Sequence, residues 1–147
     1  MNQVETVRGI YAAFGQKDIP AILERLAPDV DWEYGARDEG IPWLLPRRGR
    51  AGVSEFFQSL AGLQLSKFEL HTVLGEGNLV VALVAVEGVA VATGKRIAEQ
   101  DEVHLWHFNG HGQVQRFRHA VDTLQHWRAC QRGDRPAQAP TDSAKLR

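Results

Sequence analysis

Apolar positions in the first sixty residues recur at helical spacing; beyond them they alternate or run together as in strands. Val4, Val7, Ile10, Tyr11 and Phe14 share one face of a helix expected over about residues 3–15. Asn2, with Glu5 three positions later, forms a capping box at its start. A second helix follows, capped by Asp18, with Pro20 in its first turn and Ile22, Leu23 and Leu26 as its buried stripe. Pro28 is expected to stop it. "DVDWEY" (29–34) alternates, which predicts a short strand with Val30, Trp32 and Tyr34 on one face. Residues 35–50 hold Gly, Pro and four arginines and read as a long loop, folded down by the apolar cluster Trp43, Leu44 and Leu45. "AGVSEFFQSLAGL" is a third helix, with Val53, Phe56, Phe57 and Leu60 inward.

From Ser66 the pattern is that of strands: "KFELHTVLGEGN", "LVVALVAVEGVAVATGK", "RIAEQDEVHLWHF" and "QVQRFRHAVDTL". The last two form a hairpin about Asn109-Gly110-His111-Gly112, and "LQHWRA" closes the domain as a helical turn. Residues 1–132 make a single domain, followed by a polar, aperiodic tail (133–147) expected to be disordered. Helices followed by strands make an α+β fold with an antiparallel sheet. "LVVALVAVEGVAV" is apolar at both parities, so both sheet faces need cover. The helices cover one. A second copy of the chain is expected on the other, in a homodimer through the outer sheet face that carries Val103 and Leu105.

A hydrophobic fraction of 44% supports a core without disulfide or metal staples. A net charge of −1 offers no electrostatic reason to expect nucleic acid or membrane as a partner. Cys130 is alone, so no internal disulfide forms and a reducing compartment is expected. The start "MNQVETVRG" lacks a signal peptide's features, and no apolar run would span a bilayer, which leads to a cytoplasmic expectation.

The hairpin carries four of the six histidines, His104, His107, His111 and His119. If Asn109 faces Gly112, then Trp106 faces Gln115, His104 faces Phe117, and Glu102 faces His119. Glu102, His104, Trp106, Phe117, His119 and Val121 then share the inward face, with His107 outward and His111 in the turn. The candidate catalytic residues are therefore His119 as general acid or base, Glu102 as its cross-strand partner, and His104 as a donor to a substrate oxygen. The same three could form a two-histidine, one-carboxylate metal set, but their spacing gives no independent support, and neither metal nor cofactor is expected. Asp122 is placed outward, in an ion pair with Arg116 or Arg118 or at the dimer face. Arg47, Arg48 and Arg50 are read as a solvated run in preference to an anion site. Cys130 is given no catalytic role.

The order of elements, with "PRRGRAGVSEFF" before the sheet, "TGKR" at one turn and "FNGHGQVQRFRHAVDT" at the end, resembles the nuclear transport factor 2-like superfamily, most closely its SnoaL-like branch, over residues 3 to about 130. The resemblance implies a cone-shaped fold, in which a strongly bent sheet wraps around the three helices of the N-terminal half and leaves a pocket at its open end. Proteins of this kind include ketosteroid isomerases, limonene-type epoxide hydrolases, polyketide cyclases, dehydratases and non-catalytic binding proteins. The isomerase base falls near Tyr34 here, and the oxyanion-hole acid falls at His104. The isomerase tyrosine has only Ile10, Tyr11 and Phe14 near its place. The hydrolase Arg and Asp fall at Val84 and Val86. Its second Asp, and the cyclase acid–base Asp, fall at His119. A pocket lined by Trp32, Tyr34, Trp43, Val84, Val86, Trp106, Phe117 and Val121 would hold a small, mainly apolar molecule. The expected activity is cofactor-independent isomerisation, cyclisation or dehydration; the alternative is a non-catalytic ligand-binding or accessory dimeric domain.

Overall fold

A computed structural model describes residues 1–133. The expected disorder of the tail falls, Gly133 apart, outside the described residues. Helix α1 (Gln3–Gly15) begins at the expected capping box, where Asn2 Oδ1 accepts from the Glu5 N–H and Glu5 Oε1 from the Asn2 N–H. Helix α2 (Ile19–Leu23) is capped by Asp18 and is shorter than its apolar stripe suggested, because Leu26 already opens strand β1 (Leu26–Trp32). Pro28 lies inside that strand instead of ending the helix. It is tolerated there because the pairing of β1 is interrupted between Leu26 and Asp31, so no ladder donor is lost.

The segment read as a loop has structure of its own. A 3-10 turn (Pro42–Leu44) buries Trp43, and strand β2 (Arg47–Arg48) pairs antiparallel with the end of β1. The arginines are not a simple solvated run. Arg50 donates through Nε and Nη2 to the Leu26 carbonyl at 3.0 and 2.7 Å, and Arg47 donates to the Pro42 carbonyl. Of Arg47, Arg48 and Arg50, only Arg48 is exposed, 3.7 Å from Asp31. Helix α3 (Gly49–Ser59) and a 3-10 turn (Leu60–Gly62) lead into the long strands β3 (Leu63–Glu76), β4 (Leu79–Ala90), β5 (Arg96–Phe108) and β6 (Val114–Ala120), and helix α4 (Thr123–Cys130) follows.

The six strands form one curled, unclosed sheet in the order β2-β1-β6-β5-β4-β3. It is antiparallel except where β1 runs parallel to β6. Its concave face is packed: Val80, Ala82, Trp106, Phe108, Val114 and Phe117 are buried against Val7 and Ile10 of α1 and Val53 and Phe56 of α3. Val81, Leu83, Val103 and Leu105 on the outer face are only half-buried. Among the described residues no helix is long and apolar enough to cross a membrane.

Candidate functional site

Between the helices and the concave sheet lies a cavity of about 80 Å³, space for a few waters or a small organic fragment. Its walls are almost wholly apolar. Tyr11 and Phe14 come from α1, Phe56 and Phe57 from α3, and Trp43 and Leu44 from the 3-10 turn. Of the residues expected to bind a ligand, Trp32, Trp43, Val86, Trp106, Phe117 and Val121 line it, together with Glu102, His104 and His119. Trp32 stacks on Phe117 with ring centroids 4.1 Å apart, and Trp106 lies against Phe117 at 4.4 Å. Such contacts fix the rings by about 0.5–1.5 kcal/mol each beyond simple burial.

Tyr34 and Val84 are not on this wall. Val84 is buried in the sheet between Leu70 and Glu102. Tyr34 is turned outward by Glu33, whose φ of 61° ends the strand's alternation one residue early. The Tyr34 hydroxyl bonds His107 Nε2 at 2.7 Å, and the Arg116 guanidinium lies over its ring. The residue facing inward is Glu33, 1% exposed. A left-handed conformation costs a non-glycine residue about 1–3 kcal/mol and concentrates at functional sites.

The hairpin keeps the expected faces but not the expected partners. The turn holds one residue more than supposed, since the Asn109 N–H bonds the Gln113 carbonyl, and a bulge after Val114 adds another. Two single-residue shifts restore parity. Side chains stay on their predicted faces while every pair moves by two: His104 faces His119 and Trp106 faces Phe117. Glu102 is therefore not the cross-strand partner of His119. It bonds His104, two residues along its own strand, at 2.8 Å to Nε2.

His119 is held instead by Glu33, which accepts from its backbone N–H at 3.1 Å and bonds its Nδ1. Burial opposes charge on this ring, but the Glu33 carboxylate and its hydrogen bond, helped by Glu102 and Glu99, raise the His119 pKa above its ordinary value. His104 goes the other way: burial depresses it, against the pull of Glu102. Burial also raises the Tyr11 pKa, keeping its hydroxyl protonated. That hydroxyl accepts from Trp106 Nε1 at 3.1 Å and lies 2.5 Å from His104 Nδ1. With Tyr11 donating, the chain runs from Trp106 through Tyr11 and His104 to Glu102. Both nitrogens of His104 are thus engaged, so it does not offer the free donor expected for a substrate oxygen. Burial alone would raise the Glu102 pKa, but the His104 hydrogen bond and the neighbouring imidazoles bring it down to about 2.

A second chain was not visible in the sequence. Gln100 and Asp101 bulge opposite Ala85, so Val86 pairs with Glu99 and Val84 with Glu102. Two carboxylates three apart, which a regular strand would place on opposite faces, both point inward. Trp43 Nε1 donates to His126 Nδ1 at 2.9 Å, and His126 Nε2 bonds Glu99 at 2.7 Å. His126 on α4 thereby anchors the 3-10 turn over the chamber. Asp122 is the N-cap of α4, accepting from the Gln125 N–H, and not an outward ion-pair partner. Neither Glu33 nor His126 had a local signal: alternation pointed to Tyr34, and α4 is too short for its buried face to stand out.

Leu44, His119 and Val121 also border a polar surface cleft of about 360 Å³ that includes Glu33, Arg37 and Arg118. His119 therefore sits in the partition between the apolar chamber and a polar vestibule.

No curated protein compared with the chain matches it. Solved structures do. A nuclear transport factor 2-like protein from Burkholderia pseudomallei is 28% identical, with a TM-score of 0.72 over 88% of this chain and 98% of its own. TerC, crystallised with polyporic acid, is 25% identical, with a TM-score of 0.68 over 87% and 97%. A nuclear transport factor 2-like protein from Burkholderia xenovorans shares the fold at 23% identity and a TM-score of 0.75, over 88% and 95%. The SnoaL-like domain model matches residues 7–117, and the chain belongs to that family, within the nuclear transport factor 2-like superfamily.

Proposed function

We propose that the chamber binds a small, mainly apolar molecule bearing a carbonyl or hydroxyl group, and that His119 exchanges protons with it in an isomerisation, cyclisation or dehydration. The reading rests on one observation: a largely buried imidazole on an aromatic cavity wall, with Nδ1 tied to a buried carboxylate. Glu33 fixes the ring's orientation and favours its protonated form, leaving Nε2 as the nitrogen that gives or takes a proton. The apolar walls exclude water and strengthen each charge interaction. TerC, crystallised with polyporic acid, shows a related chain in the presence of an organic molecule.

Three of the four tryptophans line the chamber, so intrinsic fluorescence reports occupancy. Titration with 2-cyclohexenone should quench it saturably; no change on the addition of this or related enones would sink the binding reading. Isomerisation of 3-cyclohexenone to the conjugated enone, followed in EDTA, tests the chemistry. His119→Ala and Glu33→Gln should each lower the rate about 100-fold. Wild-type turnover no better than His119→Ala would leave a binding domain without catalysis.

That second reading has its own support, because His104 and Tyr11 spend their polar atoms inside the protein. For either reading we propose a homodimer through the outer sheet face. Val81, Leu83, Val103 and Leu105 form a half-exposed apolar surface there, extended by Leu74 at 61% exposure.

A further inference from the structure

Two sets of metal-ligating side chains meet beside the chamber: Glu102, His104 and His119, and Glu99, Glu102 and His126. Within each, one donor atom per residue lies within 4.8 Å of the others. Their hydrogen bonds separate them. The Trp43 indole can only donate, so the His126 Nδ1 it meets must accept, and the His126 proton sits on Nε2 facing Glu99. A metal on that Nε2 would drive the proton to Nδ1, against another N–H. The second set is closed to a metal.

The first set is open. His119 directs Nδ1 at the Glu33 carboxylate, and His104 directs Nδ1 at the Tyr11 hydroxyl. Each of these nitrogens meets an oxygen able to accept its proton, which is how metal-bound imidazoles have their tautomer and orientation fixed. Nε2 remains on both rings, and on His104 it already lies 2.8 Å from Glu102. Tyr11 can change from donor to acceptor toward His104, because its oxygen has a lone pair beyond the one that Trp106 uses. The backbone holds the three in place: His104 and His119 are directly paired across β5 and β6, and Glu102 shares the His104 face two residues away.

Charge points the same way. The side chains of Glu33, Glu102 and Glu99 are 2%, 7% and 9% exposed, and among the described residues only imidazoles pair with them. Carboxylates so enclosed, with imidazoles as their ion-pair partners, favour a cation at their centre.

We propose that Glu102, His104 and His119 bind one divalent transition-metal ion of the zinc class, through a carboxylate oxygen and two Nε2 atoms, with the remaining coordination position open to the chamber. Two imidazoles and one carboxylate suit zinc and its first-row neighbours, and a three-ligand site leaves room for water or a ligand oxygen. The site does not depend on the acid–base reading: the metal takes the His119 nitrogen that otherwise carries the exchanging proton, so the two states alternate.

The test uses full-length, untagged protein, stripped with EDTA, desalted and titrated with Co²⁺. One Co²⁺ per chain should bind, giving the visible absorption of a four- or five-coordinate ion, and Zn²⁺ should displace it. Glu33→Gln should weaken binding about 10–100-fold, and His119→Ala and Glu102→Gln by at least about 100-fold. Glu99→Gln, which removes charge but no ligand atom, should weaken it less than Glu33→Gln does. An absent spectrum, a spectrum kept by both His119→Ala and Glu102→Gln, or one lost only in Glu99→Gln overturns the proposal. Should the ligand variants fail to fold, the wild type decides alone: its Co²⁺ form should show two exchangeable, hyperfine-shifted imidazole N–H resonances, and their absence overturns the site. The enone assay is run in EDTA and the Co²⁺ titration without ligand, so failure of one leaves the other standing.

Discussion

On the inward face of the β5–β6 hairpin, His104 and His119 are enclosed by Tyr11, Glu33 and Glu102. On its outward face His107 lies between Tyr34 and Arg116. The strands and residue type are shared, but the rings are tuned apart. Partial burial and then the Arg116 charge lower the His107 pKa, whereas Glu33 overcomes a far deeper burial and raises that of His119. The sign is set by which charged group a neighbouring segment delivers, and the turn after β1 supplies Glu33 to one face only.

The largest test of the contrast is packing. Phe117→Ala should cost about 3–5 kcal/mol in urea unfolding, because it opens a void beside Trp32 and Trp106. Leu105→Ala, on the other face, should cost well under half of that in a monomer. A comparable loss would mean that a second copy covers Leu105, and Leu105→Glu should then convert dimer to monomer in size measurement. An unchanged oligomer would remove the outer-face dimer.

Charge comes next. Glu33→Gln should destabilise by about 2–4 kcal/mol at pH 5–6, since it strands a buried imidazolium. The sign follows from linkage: the folded-state pKa of His119 lies above its ordinary value of 6.5. The pair's contribution is therefore complete below about pH 6.5 and fades as pH rises through the raised value. The gap between wild type and Glu33→Gln should narrow toward pH 9, and NMR should show the His119 ring titrating lower in the variant. A gap that widens with pH would contradict the pairing. The smallest effect is expected outside: Arg116→Ala should raise the His107 pKa toward 6.5 and change stability by less than about 0.5 kcal/mol.

Much of this was legible along the chain. The capping box, the α+β order and the inward set from Glu102 to Val121 follow from local spacing, and the family resemblance agreed with them. The cross-strand dyad did not survive, although its parity did, because a longer turn and a bulge move partners without moving faces. His104 lost its free donor to Tyr11 and Glu102, and Tyr34 lost its wall position to the backbone turn at Glu33.

The residues by themselves settle which side of each element is apolar and in what order the elements come, since both follow from periods of two or 3.6 read over neighbouring positions. Only the folded chain decides that Glu33 meets a ring 86 positions away, that a bulge turns Glu99 inward, and that His126 holds Trp43 down. A hydrogen bond forms or fails within fractions of an ångström, and such distances are set by register, bulges and one left-handed residue, none of which leaves a periodic trace.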